Sequence, residues 1–383
     1  MTPSNFADIV DFIRSQYPTQ EFIPLHEPRF SGNEKAYVLD AIESTFVSSV
    51  GEYVNRFERD TAQICQTGFA IATVNGTAAL HTALLLTGVG TSDEVITTAF
   101  TFVATANAIA YTGANPVFLD IDEDTLGLSP VALENWLKAH ALRNGNTLIN
   151  KNTGRTIKAA VVMHAFGLPA RIEELVDVCN EWGITLIEDA AEALGSTYKG
   201  KPLGSFGAIG TLSFNGNKTI TCGGGGAVLT RDEELAKKAK HLTTQAKVAH
   251  PWEFFHDQLG YNYRMPNLNA ALACAQLEQL VGFVDAKRSL AERYKAFFSQ
   301  LGLYFYTELP NGKSNYWLNA IRFESSNEAN QFLSYSNSKG VMTRPVWRLM
   351  TDLPMFASAT NDGLTVSRNL AHTIVNIPSS VPK

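Results

Sequence analysis

Short apolar runs alternate with helical stretches through the first two-thirds of the chain, and that alternation restricts the fold more than any other feature. Phe69–Val74, Glu94–Thr98, Pro116–Ile121, Ala159–His164, Thr185–Ile187, Ile209–Phe214 and Ala227–Thr230 read as strands. Helices fit between them over Thr77–Leu86, Thr101–Tyr111 and Ile172–Trp182. Strands that are apolar along their whole length need cover on both faces, which predicts a mostly parallel central sheet between helical layers. After about residue 250 the rhythm changes. Pro266–Phe283 and Asp285–Leu301 read as long helices, Asn315–Phe323 as a strand and Asn327–Lys339 as a helix, and the tail from Arg344 is loop-rich. The expected organisation is α/β: an N-terminal helical arm (1–25), a large α/β domain (26–250) and a smaller C-terminal α+β domain (251–383). Arg143–Arg155, rich in Asn, Gly, Lys and Thr, reads as an exposed insertion loop.

Composition narrows the function classes. With 45% hydrophobic residues in 383, a large core is affordable. A formal net charge of −6 argues against a general nucleic-acid binder, while leaving room for a local phosphate pocket. The four cysteines are scattered without a C-x-x-C, so they read as buried free thiols in a reducing cytoplasm, with no metal site. Residues 1–18 place Asp8, Asp11 and Arg14 among Phe6, Ile9, Val10 and Ile13, the spacing of an amphipathic helix and not of a signal peptide. No segment approaches the ~18 apolar residues of a membrane span. The expected location is the cytoplasm, with no membrane partner.

Two residues carry the chemistry. Asp189 ends the apolar run Leu186-Ile187-Glu188-Asp189, and Lys218 follows the strand that carries Ser213. A buried carboxylate is costly unless paired. A lysine becomes a nucleophile only when its amine is deprotonated. An amine and a carboxylate on adjacent strand ends suit pyridoxal phosphate (PLP), whose aldehyde takes the lysine and whose pyridinium nitrogen takes the acid. Asn75-Gly76-Thr77-Ala78 follows a strand and opens a helix, a ready anion site. Gly76 permits close approach there, Thr77 can cap the helix and bind phosphate oxygens, and Ser213 can donate to the same phosphate. Phe102 can stack on a pyridine ring. The four glycines 223–226 allow backbone to come near a ligand but form no P-loop.

These motifs occur in a fixed order: Asn75 to Leu80, Phe100 to Thr105, Glu188 to Ala191, Ser213 to Lys218, and Gly260-Tyr261-Asn262-Tyr263-Arg264. In that order the chain resembles the DegT/DnrJ/EryC sugar-nucleotide aminotransferases, which have the aspartate-aminotransferase-like fold, fold type I. The resemblance implies that Lys218 holds PLP covalently and shuttles a proton. It implies that Asp189 pairs with the ring nitrogen, Phe102 stacks on the ring, and Gly76, Thr77 and Ser213 hold the phosphate. Asn262 would reach that phosphate from the other subunit of a homodimer, with Arg264 in the same region. Glu192 stands where many relatives carry His or Gln beside the phenolic oxygen, and its charge there is unfavourable unless it is protonated or turned away.

The segments Phe22-Ile23-Pro24-Leu25-His26-Glu27-Pro28, Gly32 to Lys35 and Phe46 to Gly51 are similar to the UDP-N-acetylbacillosamine transaminase group, which includes legionaminic acid enzymes. That likeness implies a UDP-linked 4-keto-6-deoxy-N-acetylhexosamine as acceptor and L-glutamate as donor, with Ser48, Ser49, Arg344 and Trp347 near the substrate. The alternative is a perosamine-type synthase using a GDP-linked keto sugar. A non-catalytic sugar-nucleotide or PLP sensor is disfavoured by the intact Lys218, Asp189 and Ser213.

Overall fold

Seven strands form the main path of the central sheet in the computed structural model, which describes residues 3–145 and 147–382. They are β1 (Phe69–Thr73), β2 (Asp93–Thr98), β3 (Asn115–Leu119), β4 (Thr156–Met163), β5 (Thr185–Asp189), β6 (Ile209–Ser213) and β7 (Gly226–Thr230). Their order is β1-β7-β6-β5-β4-β2-β3. From β6 to β3 every neighbouring pair is parallel, while β7 runs antiparallel to both β1 and β6. The expected mostly parallel sheet is present, with one strand reversed.

Strand alternation assigns each residue to a face. Ala159 and Val161 of β4 join Ile71, Val95, Ile187 and Val228 in a core closed by the helices Gly76–Leu86, Val103–Tyr111 and Glu233–Thr243. Ala160 and Val162 join Ile96, Leu186 and Leu229 in a second core, closed by helices contributing Phe57, Leu133, Leu175 and Ala270. Parallel strands put their carboxyl ends on one side of the sheet, and ligands of open α/β sheets bind outside those ends. Asn75, Phe102, Asp189, Ser213 and Lys218 all lie at or just beyond them.

A third core holds the C-terminal part together. The antiparallel strands Tyr304–Phe305, Asn319–Arg322, Ile374–Ile377 and Arg344–Pro345 lie side by side in that order. The helices Leu280–Gln300 and Ser326–Ser338 pack here, as does Pro3–Gln16, which buries Phe6, Ile9, Val10 and Ile13 beside Phe323 and Phe332. Among the described residues no helix is long and apolar enough to cross a membrane.

Three local expectations change. Residues 143–145 and 151–155 are exposed, as expected, but the stretch is not all loop. Ala141–Asn144 and Thr147–Asn150 pair as a hairpin on the edge of β4, where Leu148 is buried and the Asn150 amide donates to buried Glu94 at 2.7 Å. The two long helices break at Glu278–Gln279 rather than near Val284. There Glu278 accepts from Tyr37, Asn33 and Arg56, and Gln279 donates to Glu34. The strand expected from Asn315 begins only at Asn319, because Tyr316 takes a left-handed φ of 46° and Asn315 turns inward.

Candidate active site

The strand ends enclose a cavity of about 320 Å³. Lys218, Asp189, Glu192, Gly76, Thr77, Phe102, Ser213 and Trp347 all line it, so the geometry brings together eight residues singled out from sequence. A wider cleft of about 610 Å³ lies at the C-terminal sheet, but its Arg322 is already paired with Glu123. It contains neither Lys218 nor Asp189, and has the weaker claim.

Lys218 is presented by a turn: its N–H donates to the Asn215 carbonyl at 3.0 Å. The amine lies 3.3 Å from Glu192 Oε1 and 4.0 Å from the centre of the Trp317 ring. Glu192 Oε2 accepts from the Phe166 N–H at 2.9 Å. That N–H is aimed by a left-handed backbone at Phe166 (φ 59°, ψ 12°), an uncommon conformation for a bulky residue. Burial pushes the Glu192 carboxyl up to about 7, against the pull of the Lys218 charge. Near neutrality the group therefore carries a proton part of the time, which would lessen the unfavourable charge if a phenolic oxygen lay beside it.

Asp189 ends β5 between Met163 of β4 and Thr211 of β6. Its Oδ2 accepts from the Thr105 hydroxyl at 2.7 Å and its Oδ1 from the Ala191 N–H at 3.2 Å. Burial still raises its proton affinity above that of an ordinary carboxyl. An acid held this way lacks a full cationic partner, and a pyridinium nitrogen would supply one. The neighbouring Glu188 has the opposite setting. It is equally buried, but the His164 ring and the N–H groups of Gly204, Phe206 and Gly207 surround its two oxygens. Despite the cost of burial, those bonds hold its carboxyl below the usual range. Glu188 is an anchor for the 203–207 loop, whereas Asp189 accepts two hydrogen bonds and faces the cavity.

The phosphate cradle also fits. A β-carbon added at Gly76 would stand 2.8 Å from Ser213 Cβ, so the glycine and the serine form a wall with no room for a side chain. Asn75, not Thr77, caps the helix: its Oδ1 accepts from the Ala78 N–H at 2.8 Å. Thr77 thus stays on the cavity wall at the positive end of a helix dipole. Of the four glycines, Gly225 and Gly226 are closely packed, while Gly223 is exposed and takes a left-handed φ of 80°. A β-carbon at Gly226 would lie 2.4 Å from the Asn75 carbonyl oxygen, and none of residues 223–226 lines the cavity. Cys222 is buried beside Phe214 and Gly224.

Other candidates lie elsewhere. Ser48 and Ser49 do not line the cavity, and the Ser48 carbonyl accepts from Asn267 N–H. Arg344 pairs with Asn376 in the C-terminal sheet. Asn262 is exposed opposite Thr244, and Arg264 runs beside Thr73. Neither reaches the cavity of its own chain. Sequence reading missed Thr105, Asn315 and Trp317. Thr105 had a faint signal, sitting one turn after Thr101, and their hydroxyls meet at 3.0 Å. Asn315 and Trp317 had none, since only the fold brings them to Lys218.

The comparisons agree with this geometry. The chain is 37% identical to GDP-perosamine synthase of Escherichia coli O157:H7 over 359 residues, 94% of this chain and 93% of that one. It is 36% identical to GDP-perosamine synthase of Vibrio cholerae, over 93% and 94% of the two chains. The solved aminotransferase TlmJ from Streptoalloteichus hindustanus matches with a TM-score of 0.84 at 28% identity, over 94% of this chain and 93% of that one. Residues 28–382 match the DegT/DnrJ/EryC1/StrS aminotransferase family, and the chain belongs to that family of PLP-dependent sugar aminotransferases.

Proposed function

We propose that this enzyme moves an amino group from L-glutamate to carbon 4 of a nucleotide-linked 4-keto-6-deoxy sugar. The observation that carries this reading is the placing of Lys218, Glu192 and Asp189 in one cavity also lined by a helix N-terminus at Gly76 and Thr77. When bound, PLP supplies an aldehyde that captures an amine and an electron-poor ring that tolerates loss of the neighbouring proton. Asp189 keeps the ring nitrogen charged. Gly76, Thr77 and Ser213 would hold the phosphate, and Phe102 would cover one face of the ring. Lys218, once released, takes the α-proton of glutamate and returns it one atom away. Glutamate would leave as 2-oxoglutarate, its new carbonyl oxygen supplied by water and its amino group left with the cofactor, before the keto sugar enters, a ping-pong order.

The perosamine synthases among the relatives favour a GDP-linked acceptor over a UDP-linked one. The UDP-linked 4-keto-6-deoxy-N-acetylhexosamine stays as the second reading, supported by Phe22–Pro28 and Phe46–Gly51. The enzyme works as a homodimer in the cytoplasm, with Asn262 and Arg264 reaching the partner's site. Phe46 and Val50 on one segment and Trp252, Phe254 and Leu259 on another leave large apolar surface for a second copy to cover. Ser48, Ser49 and Arg344 then belong to the substrate side of the shared site.

The test offers GDP- and UDP-linked 4-keto-6-deoxy sugars in parallel, with PLP and glutamate, and reads amino sugar by mass spectrometry. Amine on the GDP sugar alone supports the first reading, and amine on the UDP sugar alone supports the second. Turnover of either by Lys218→Ala refutes the role given to Lys218.

A further inference from the structure

Trp317 lies about a hundred residues beyond Lys218, in the C-terminal part of the chain, yet its ring is the surface on which the amine rests. All three of its polar groups are held. The indole N–H donates to the Asn217 carbonyl at 2.6 Å, immediately before Lys218. The backbone N–H donates to Asn315 Oδ1 at 2.8 Å, and the carbonyl accepts from the buried Lys287 ammonium at 3.1 Å. Asn315 is itself fully buried. Its amide donates to the carbonyls of Glu192 and Leu194, each at 2.9 Å, and to the Thr219 hydroxyl at 3.2 Å. Asn315 and Trp317 therefore grip the loop of the carboxyl and the loop of the lysine together. A side chain tied at that many points loses little entropy on use and has one orientation.

We infer that Trp317 is a positioning residue for Lys218: its indole face, beside the Glu192 carboxyl, forms a parking site for the released, charged amine. The inference rests on Lys218 being the lysine that carries the cofactor. During catalysis that amine gains a proton and a full charge in a cavity where the Lys218 side chain is largely buried, so water solvates it less well than at the surface. An indole face attracts an ammonium group more strongly than any other side-chain ring, and more so when both are desolvated. Asp189, the other acid of the cavity, is engaged by Thr105 and Ala191.

The first measurement needs no turnover. Lysines are labelled with carbon-13 at Cε in the cofactor-free protein, and the Lys218 signal is assigned by its loss in Lys218→Ala. Lying over an indole, its ε-protons are expected upfield of the other lysines, to remain upfield in Trp317→Phe and to return to the common position in Trp317→Leu. The second measurement is the single-turnover reaction with glutamate. Trp317→Leu should lower its limiting rate about tenfold, the scale of a desolvated cation–ring contact, with the glutamate saturation constant unchanged. Trp317→Phe should recover most of that rate. A Lys218 signal at the common position in the unsubstituted protein overturns the inference even if the variants fail to fold. So does a Trp317→Leu enzyme with the original limiting rate. Borohydride reduction and peptide mapping separate the two layers. Cofactor attached to another lysine removes the Lys218 assignment itself, whereas cofactor on Lys218 with an unshifted signal removes only the role of Trp317.

Discussion

Glu192 should make the cofactor-free protein less stable as the pH rises. Burial is the main cause that carries its carboxyl from an ordinary 4.5 to about 7. The folded protein then keeps the proton up to about pH 7, whereas the unfolded chain releases it near 4.5. Between those values the folded state binds more protons, so stability falls with rising pH. The penalty is absent below the lower value and complete above the higher one. At ~1.4 kcal/mol per pH unit the full penalty is about 3 kcal/mol, of which about 2 to 3 kcal/mol develops between pH 5 and pH 8. Glu192→Gln removes the titration while leaving an oxygen to accept from the Phe166 N–H. Urea unfolding of both proteins at pH 5, 6, 7 and 8 should therefore show the original protein losing about 2 to 3 kcal/mol relative to the variant across that range. Profiles that stay parallel would refute the assignment of a raised carboxyl to this position.

Lys287 gives the opposite slope: burial lowers its ammonium to about 7, so stability should rise as pH increases through the range in which only the unfolded chain is protonated. Lys287→Met should erase a gain of about 3 kcal/mol between pH 7.5 and pH 10 in the same unfolding assay. Gly76→Ala forces a β-carbon to 2.8 Å from Ser213 Cβ. It should weaken PLP binding by about tenfold or more in a cofactor titration, the cost of overpacking one methyl. Glu188→Gln turns one acceptor oxygen into a donor facing other donors, and should lower unfolding stability by about 3 to 5 kcal/mol.

What could be read from sequence was local in the chain. Each of the seven strands ends near a turn residue, and each functional group at the strand ends lies within a few positions of its strand. Asp189 is the last residue of β5, Gly76 begins a helix three residues after β1, and Lys218 follows β6 by five. A parallel sheet then gathers those ends without further instruction, so position along the strand was nearly equivalent to position in the site. Role assignment within a motif was less secure, because it depends on where a side chain points. Thr77 and Asn75 are both good capping residues, and only the backbone at Asn75 (φ −166°, ψ 170°) shows which one caps.

The remaining residues were hidden because their partners are distant in sequence. Trp317 in the run Asn315–Phe323 looks like one more apolar residue of a strand, and the strand is real from Asn319 onward. What departs from the pattern is the segment before it, where a left-handed Tyr316 interrupts the extension and turns Asn315 into the interior. A strand continued back to Asn315 would have satisfied those backbone groups through the sheet. The chain instead places a buried amide there, at the cost of regular pairing, and every bond of that amide goes to a loop holding Glu192, Leu194, Trp317 or Thr219. Departures of this kind persist only where the surroundings over-determine them. The Lys218 amine thus follows a strand of the large sheet but lies over a ring from the C-terminal part of the chain, which is why a reading confined to βα units finds the lysine and not the ring beneath it.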